Sequence, residues 1–191
     1  FKSRLQSGHV AINAQYLANR DAAEMLHARS QLIDEVLCLL WSELHIRDSL
    51  TFVAVGGYGR AEMWPASDVD LLLLLPEPPD PALTEQLEQL ISFFWDIGLE
   101  IGHSVRTIED CLNEAKNDLT IQTALVEARF LAGNQVLFAR LVSEFKENLD
   151  PQAFFHAKRI EQDERYLRFQ ETPYSLEPNC KESPGGLRDL K

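Results

Sequence analysis

Two aspartates one residue apart stand just before a run of five leucines. Asp68 and Asp70 flank Val69, and leucines occupy positions 71–75. Because side chains alternate along a β-strand, residues at i and i+2 point to the same face, roughly 7 Å apart along the backbone. Two carboxylates this close repel each other when both are ionised, unless a cation lies between them. The spacing predicts a site for Mg²⁺, and two-metal sites of this kind serve phosphoryl or nucleotidyl transfer.

A pair of glycines precedes these aspartates. Gly56 and Gly57 directly follow the hydrophobic stretch 51–55, and Arg60 comes three residues later. Glycine leaves room for a triphosphate to approach the backbone where a strand leads into a helix N-terminus, and an arginine can add charge-assisted hydrogen bonds. The candidate nucleotide-binding residues are Gly56, Gly57, Arg60 and Ser67.

The two motifs are stronger together than apart. A Gly-Gly pair alone is often only a turn, and an aspartate at a strand end is often a solvated cap. The stretch also lacks the Lys-Ser/Thr of a P-loop and the GxGxxG of a dinucleotide fold. Their occurrence in one strand–turn–strand unit nevertheless favours a site over two unrelated structural accidents.

Hydrophobic periodicity predicts the elements that must position these residues. Apolar residues at helical spacing predict one long helix, or two stacked ones, over 9–44. We predict strands over 51–55, 69–75 and 99–107, a short helical stretch over 58–63, and a helix over 82–97. Beyond Thr107 the pattern is helical: 108–116, 119–132, 135–148, and 150 to about 170 after Asp150-Pro151. The tail is turn-rich, and we expect an extended segment there.

These elements predict an α+β fold, with a small mixed β-sheet core flanked by helices and followed by a helical region. We expect three segments: an N-terminal helical segment 1–48, a core 49–117, and a helical region 118–191 with an extended tail.

Composition restricts the class of protein. The net charge is −12, from 30 acidic and 18 basic residues, and this disfavours a broad nucleic-acid surface. There is no run of about 18 apolar residues, so we expect no membrane association and a cytoplasmic location. The three cysteines show neither disulfide-framework nor zinc-site spacing.

The stretch "GGYGRAEMWPASDVDLLLLL" resembles the signature of the DNA-polymerase-β-like nucleotidyltransferase superfamily: a Gly-Gly or Gly-Ser, a short helix, then Asp-x-Asp on the next strand. More narrowly, it looks like the N-terminal domain of the bacterial uridylyltransferases that modify the nitrogen-signalling protein PII. The segments "LEIGHSVRT" (99–107) and "SLEPNCKESPGGLRDL" (175–190) are similar to segments of that family. The chain departs from the family pattern at Ala61, where we expect glycine, and at Met63-Trp64, where we expect Leu-His.

The resemblance implies roles for individual residues. Asp68 and Asp70 would be metal ligands, with Gly56, Gly57 and Arg60 around the triphosphate. A third catalytic and metal-binding carboxylate usually lies on a later strand, and Glu100 matches that position best. The segment around Arg188 and Asp189, together with His103 and Arg106, is left out of the catalytic set.

The resemblance further implies a Mg²⁺-dependent nucleotidyltransferase that moves UMP from UTP to a tyrosine hydroxyl of a PII-type signalling protein. An adenylyltransferase or another nucleotidyltransferase on the same fold is an alternative, since the residues themselves specify neither base nor acceptor. A regulatory module that binds nucleotide without transferring it is a second alternative, and a purely helical scaffold is a third. No His-Asp dipeptide is present, so we expect uridylyl removal to reside outside these residues.

Overall fold

The structure is a computed structural model that describes residues 1–44, 46, 49–169 and 179–189. It divides into two compact units, residues 1–147 and residues 148–191. This grouping differs from the three segments expected from sequence, because a strand from beyond residue 117 joins the sheet of the first unit.

The first unit is built from seven helices and four strands among the described residues. The helices are α1 Lys2–Asn19, α2 Ala22–Glu43, α3 Gly56–Gly59, α4 Pro81–Asp96, α5 Ile108–Ala115, α6 Leu119–Val126 and α7 Gln135–Asn148. The strands are β1 Thr51–Ala54, β2 Val69–Leu75, β3 Ile101–Thr107 and β4 Arg129–Gly133. The predicted α+β class with a small mixed sheet is confirmed.

The sheet has the strand order β3-β2-β1-β4. Strand β1 pairs antiparallel with both β2 and β4, whereas β2 and β3 are parallel. Parallel neighbours need a crossover connection, and α4 supplies it between β2 and β3. The register of this parallel pair sets Asp70 beside Gly102 and Leu72 beside Ser104.

The leucine run is buried on both faces of the sheet. Each leucine from 71 to 75 has at most 2% of its surface exposed, as expected for a strand that helices cover on both sides. On one face, Leu71 and Leu73 join a core with Val36 of α2 and Phe94 of α4. The alternation of β2 consequently sends Asp70 and Leu72 to the opposite face.

The predicted helix over 119–132 is wrong in its second half. Helix α6 ends at Val126, and the segment Arg129–Gly133 forms β4 along the free edge of β1. Apolar residues such as Phe130 and Leu131 suit either kind of element over so short a run. The unpaired backbone groups of β1 decide the outcome, because a strand at that edge satisfies them.

The short helix after the glycines also differs from expectation. Helix α3 covers only Gly56–Gly59, and Arg60 is its C-cap, whereas the sequence predicts a helical stretch over 58–63. Ala61 has a left-handed backbone, with φ of 59°, and the helix ends just before it, at Gly59.

The second unit contains α8, Pro151–Arg168, with Asp150 as its N-cap, as predicted. Part of the predicted extended tail, 170–178, lies outside the described residues. A short 3₁₀ turn, Leu187–Asp189, follows a series of turns from residue 180. Over the ranges that the structure describes, no helix is both long and apolar enough to cross a membrane.

Candidate functional site

The Asp70 carboxylate lies between two glycines from different elements. A Cβ atom built on Gly56 would lie 2.9 Å from Asp70 Oδ2, and one built on Gly102 would lie 3.0 Å from Asp70 Oδ1. Gly56 also has φ of +57°, a conformation that favours glycine. Any larger residue at either position would displace the carboxylate, so the chain leaves this space to Asp70.

Negative charge accumulates around Asp70. Burial is the larger cause and the neighbouring carboxylates of Asp68 and Glu127 add to it, and together they raise the pKa of Asp70 to about 6. Asp68 is exposed just before β2, whereas Asp70 is half-buried within it. A carboxylate in this position is poorly neutralised by the protein itself, and a bound cation would remove the repulsion.

Glu127 is the site residue that sequence reasoning missed. It lies in the short connection between α6 and β4, in a segment predicted to be continuous helix. The backbone carbonyl of Glu127 is so close to Gly59 that a Cβ there would lie 2.1 Å from its oxygen. An acidic residue directly before an apolar, strand-compatible segment was the available signal.

Glu100, the predicted third carboxylate, precedes β3 and has an exposed side chain. Its backbone carbonyl accepts a hydrogen bond of 2.8 Å from the Val69 amide, so the residue lies close to the aspartate pair along the sheet. Of the two glutamates, Glu127 is the one whose charge acts on Asp70. The assignment of Glu100 to the metal stays a prediction.

Arg60, predicted to contact phosphate, is held by two carboxylates. Its Nη1 atom lies 2.5 Å from Glu127 Oε1, and its Nε atom donates to Glu62 Oε2 at 3.1 Å. About 30% of the arginine side chain is exposed. Arg60 therefore lies in the same charge cluster as Asp70, linked to it through Glu127.

The predicted phosphate-binding residues Gly56, Gly57 and Ser67 lie in or near a very short helix. With four residues, α3 has few aligned peptide dipoles, so the helix dipole contributes little to anion binding. Gly57 has ordinary van der Waals space for a Cβ, with its nearest neighbour at 3.7 Å. Ser67 is exposed, and its backbone amide donates to the Trp64 carbonyl at 3.0 Å. Phosphate contacts by these residues stay predictions.

A partly buried charge network attaches α3 to α2 and β4. The Tyr58 hydroxyl donates to Asp34 Oδ1 at 2.6 Å, and Arg129 donates to both Asp34 oxygens, at 2.7 and 3.1 Å. The same guanidinium donates to the carbonyls of Tyr58 and Gly59, both at 3.2 Å, and lies 5.3 Å from the Tyr58 ring centroid. Burial and the Asp34 carboxylate raise the pKa of Tyr58, which keeps the phenol protonated as a donor. The network fixes the position of the glycine turn.

The loop between α3 and β2 is anchored and locally strained. Arg29 of α2 donates to the Met63 carbonyl at 3.1 Å, and the Met63 side chain is 2% exposed. Ala61 and Ala66 both have positive φ, at 59° and 66°. Left-handed backbone at non-glycine residues costs energy and is characteristic of functional loops. Ala61 is the position at which the family pattern predicts glycine, and its φ supplies the reason.

The side chains available as metal ligands determine whether Mg²⁺ fits this site. Within the described ranges, no group of three His, Cys, Asp or Glu side chains is placed to hold a metal ion. Mg²⁺ commonly binds through one or two carboxylates together with waters and substrate phosphates, rather than in a closed protein cage. Asp68 and Asp70 fit that mode, because their charges are close and incompletely neutralised.

The residues left out of the catalytic set have other partners or exposed positions. Arg106 pairs with Glu114 of α5, and His103 is exposed on β3. In the second unit, Asp189 accepts hydrogen bonds from the Tyr166 hydroxyl and the Gly185 amide, both at 2.6 Å, and Arg188 pairs with Glu182 at 3.0 Å.

Comparisons with known proteins add family information to this geometry. The family model described as GlnD PII-uridylyltransferase matches residues 153–191, which lie in the second unit. A solved structure described as a toxin-antitoxin with AMP-PNP matches 72% of this chain and 96% of its own chain, with 16% identity and a TM-score of 0.38.

Full-length relatives match the chain as a whole. Bifunctional uridylyltransferase/uridylyl-removing enzymes of Bordetella parapertussis and Nitrosospira multiformis are 49% and 46% identical to it, over 100% of this chain and 22% of their own length. The enzyme of that description from Burkholderia lata is 53% identical over 90% of this chain and 20% of its own length. This chain, which spans about a fifth of the length of these relatives, therefore belongs to the sequence family of the bacterial bifunctional uridylyltransferase/uridylyl-removing enzymes.

Proposed function

We propose that this chain carries the nucleotidyltransferase site of its family, and that it transfers UMP from UTP to a tyrosine hydroxyl of a PII-type signalling protein with the help of Mg²⁺. The observation that carries this proposal is the Asp70 carboxylate, held between Gly56 and Gly102 beside two further acidic side chains. The relatives' description as uridylyltransferases supports the choice of UMP.

The proposed division of labour follows from the positions of the residues. Asp68 and Asp70 would hold Mg²⁺, and the bound ion would neutralise charge that develops on the phosphates. Gly56 and Gly57 would leave backbone space for the triphosphate beside Asp70. Arg60, which pairs with Glu127 and Glu62, would exchange a carboxylate partner for a phosphate oxygen. A third carboxylate, Glu100 or Glu127, completes the acidic group and orients the attacking hydroxyl.

Two arrangements of the chain organise this site before substrate binds. The Asp34–Arg129–Tyr58 network holds the glycine turn, and Arg29 holds the loop that leads to Asp68. Such prior positioning favours transfer, because the protein need not reorganise its charged groups during the reaction.

The test is the intact mass of a PII-type acceptor after incubation with this chain, Mg²⁺ and each nucleoside triphosphate separately. We expect a gain of one UMP with UTP alone, and a loss of at least about a hundredfold in rate for Asp70→Asn. Asp96→Asn, which changes an exposed aspartate at the last position of α4, is the matched control and should transfer at the rate of the unchanged chain.

A gain of AMP or another nucleotide would replace the uridylyl assignment with the alternative nucleotidyltransferase. Metal-dependent UTP binding without transfer would favour a nucleotide-sensing module. The observation that favours this alternative is that two glutamates already pair with Arg60, the residue proposed to contact phosphate. Absence of both binding and transfer would contradict the site assignment.

A further inference from the structure

A cavity of about 240 Å³ lies beside Asp70 on the face of the sheet opposite the main core. Asp70 and Leu72 of β2 line it together with their register partners on β3, Gly102 and Ser104. Helix α6 contributes Ile121, Ala124 and Leu125. The cavity thus has an acidic end at Asp70. Its walls are mostly apolar but include the polar residues His103, Ser104, Arg106 and Thr120. The exposure of Gly102 leaves the acidic end open to solvent.

The two oxygens of Asp70 point to different spaces. Oδ2 lies against Gly56, at the turn proposed for the triphosphate, whereas Oδ1 lies against Gly102, which lines the cavity. In phosphoryl and nucleotidyl transfer, the attacking and leaving oxygens are roughly in line on opposite sides of the phosphorus. If pyrophosphate leaves on the Gly56 side, the nucleophile must approach from the Gly102 side.

We propose that this cavity receives the acceptor's aromatic side chain and presents its phenolic hydroxyl at the Asp70 end. The inference rests on the proposed transferase function. A phenol ring suits walls of leucine, isoleucine and alanine, and its hydroxyl suits the acidic end. The volume is below the roughly 300–1,000 Å³ of pockets for drug-sized ligands, so a single ring fits the space better than a whole nucleotide.

The chemical step at this cavity transfers UMP to the phenolic hydroxyl. The phenolic oxygen forms a bond to the α-phosphorus of UTP, and the bond from that phosphorus to the pyrophosphate oxygen breaks. The hydroxyl proton is released to solvent at the open end of the cavity. Pyrophosphate departs on the Gly56 side with the bonding electron pair.

The inference is tested by NMR, with N-acetyl-L-tyrosinamide as the probe and N-acetyl-L-phenylalaninamide as its comparison. We expect the tyrosine probe to shift amide signals over 102–106 and 120–125, in the presence of Mg²⁺ and a non-hydrolysable UTP analogue. The phenylalanine probe should bind more weakly, because it leaves the acidic end without a hydroxyl partner.

Two variants fill the cavity from opposite walls, Ala124→Leu on α6 and Ser104→Val on β3. Each should weaken binding of the tyrosine probe at least about tenfold, about 1.4 kcal/mol, and leave Mg²⁺-dependent UTP affinity within about twofold. Ala139→Leu places the same leucine on the exposed surface of α7 and should change neither. Circular dichroism establishes whether each variant is folded. If one of the two filling variants does not fold, binding of the tyrosine probe by the other tests the inference.

The outcomes separate this inference from the proposed function. Weaker UTP binding in the filled variants, with UTP shifting the cavity amides, would show a nucleoside pocket and overturn the inference while leaving transferase function intact. Unchanged binding of both ligands would also overturn it. Absence of UTP binding by the unchanged chain would contradict the proposed function, and titration of the tyrosine probe without nucleotide would still decide whether the cavity accepts a phenol.

Discussion

Two aspartates in the first unit lie in opposite electrostatic surroundings. Asp34 of α2 has 25% of its side chain exposed and accepts hydrogen bonds from Arg129 and Tyr58. Asp70 of β2 is also half-buried, but the charged groups that act on it are the carboxylates of Asp68 and Glu127, and its pKa is raised to about 6. Asp34 is neutralised by the protein, whereas the carboxylates around Asp70 oppose its ionisation.

The difference separates a charge with a structural role, Asp34, from one for which we propose a functional role, Asp70. A paired charge in a partly dry region fixes the geometry of its neighbours, and removing one partner leaves the other uncompensated. Like charges forced together cost stability in the folded protein, and they persist where function requires them. The network around Asp34 holds α3 in place, and α3 contains the Gly56 against which Asp70 lies.

The largest expected effect is on stability when the neutralised aspartate is removed. Asp34→Ala should lower the free energy of unfolding by about 2 kcal/mol, because Arg129 and Tyr58 both lose their partner and Arg129 is only partly solvated. Urea unfolding monitored by circular dichroism measures this change. Glu35→Ala, which breaks an ion pair with Arg4 whose side chains are 52% and 57% exposed, should cost less than about 0.5 kcal/mol. Equal losses in the two variants would contradict the structural role of Asp34.

Removing the charge of Asp70 should have the opposite effect and raise the free energy of unfolding. Because its folded-state pKa is raised from 3.8 to about 6, protonated Asp70 stabilises the fold at low pH, and that stability is lost as pH rises through about 6. In metal-free buffer at pH 8, Asp70→Asn should therefore raise the free energy of unfolding by about 1 kcal/mol, after allowance for solvent screening. The gain should vanish below about pH 4. Urea unfolding across this pH range tests it, and a destabilised variant at pH 8 would contradict it.

A smaller effect, on the pKa of Asp70, should distinguish Glu127 from Glu100. Glu127→Gln should lower the pKa of Asp70, with a free-energy effect under about 1 kcal/mol, because it removes one of the like charges. Glu100→Gln is the matched variant and should leave that pKa closer to its value in the unchanged chain. Titration of the Asp70 carboxyl carbon by NMR measures both. A larger change in the Glu100 variant would assign Glu100, rather than Glu127, to the acidic group.

The smallest expected effect concerns the strained loop between α3 and β2, which contains Ala61. Ala61→Gly should stabilise the protein by about 0.5 kcal/mol, since relief of the left-handed strain slightly exceeds the entropy that glycine loses on folding. Ala139→Gly, in the middle of α7, should instead destabilise by roughly 1 kcal/mol. Thermal unfolding of the two variants compares them, and a loss of stability in Ala61→Gly would refute the strain argument.

Local patterns were sufficient for much of the fold. The leucine run and its flanking aspartates predicted β2 with its observed bounds, and Asp150-Pro151 predicted the start of α8. Apolar spacing predicted α4 to within one residue at each end. These features depend on backbone geometry and near neighbours, so the sequence window that determines them is short.

Features that depend on distant partners were not predictable in this way. The segment Arg129–Gly133 became a strand because β1 offered an unpaired edge, and the same change moved Glu127 out of a helix and next to Arg60. The helix expected after the glycines is only four residues long, because Ala61 adopts a left-handed conformation and α3 ends before it.

The sequence by itself determined the Asp-x-Asp pair, the glycines before it and the order of elements as far as β3, because each is encoded within a few adjacent residues. Only the tertiary structure decided which glutamate acts on Asp70 and which arginine positions the glycine turn. Arg129 meets Asp34 across 95 positions of the chain, and Asp70 meets Gly102 through a parallel pairing. Such contacts arise from the packing of whole elements, which local residue patterns do not encode.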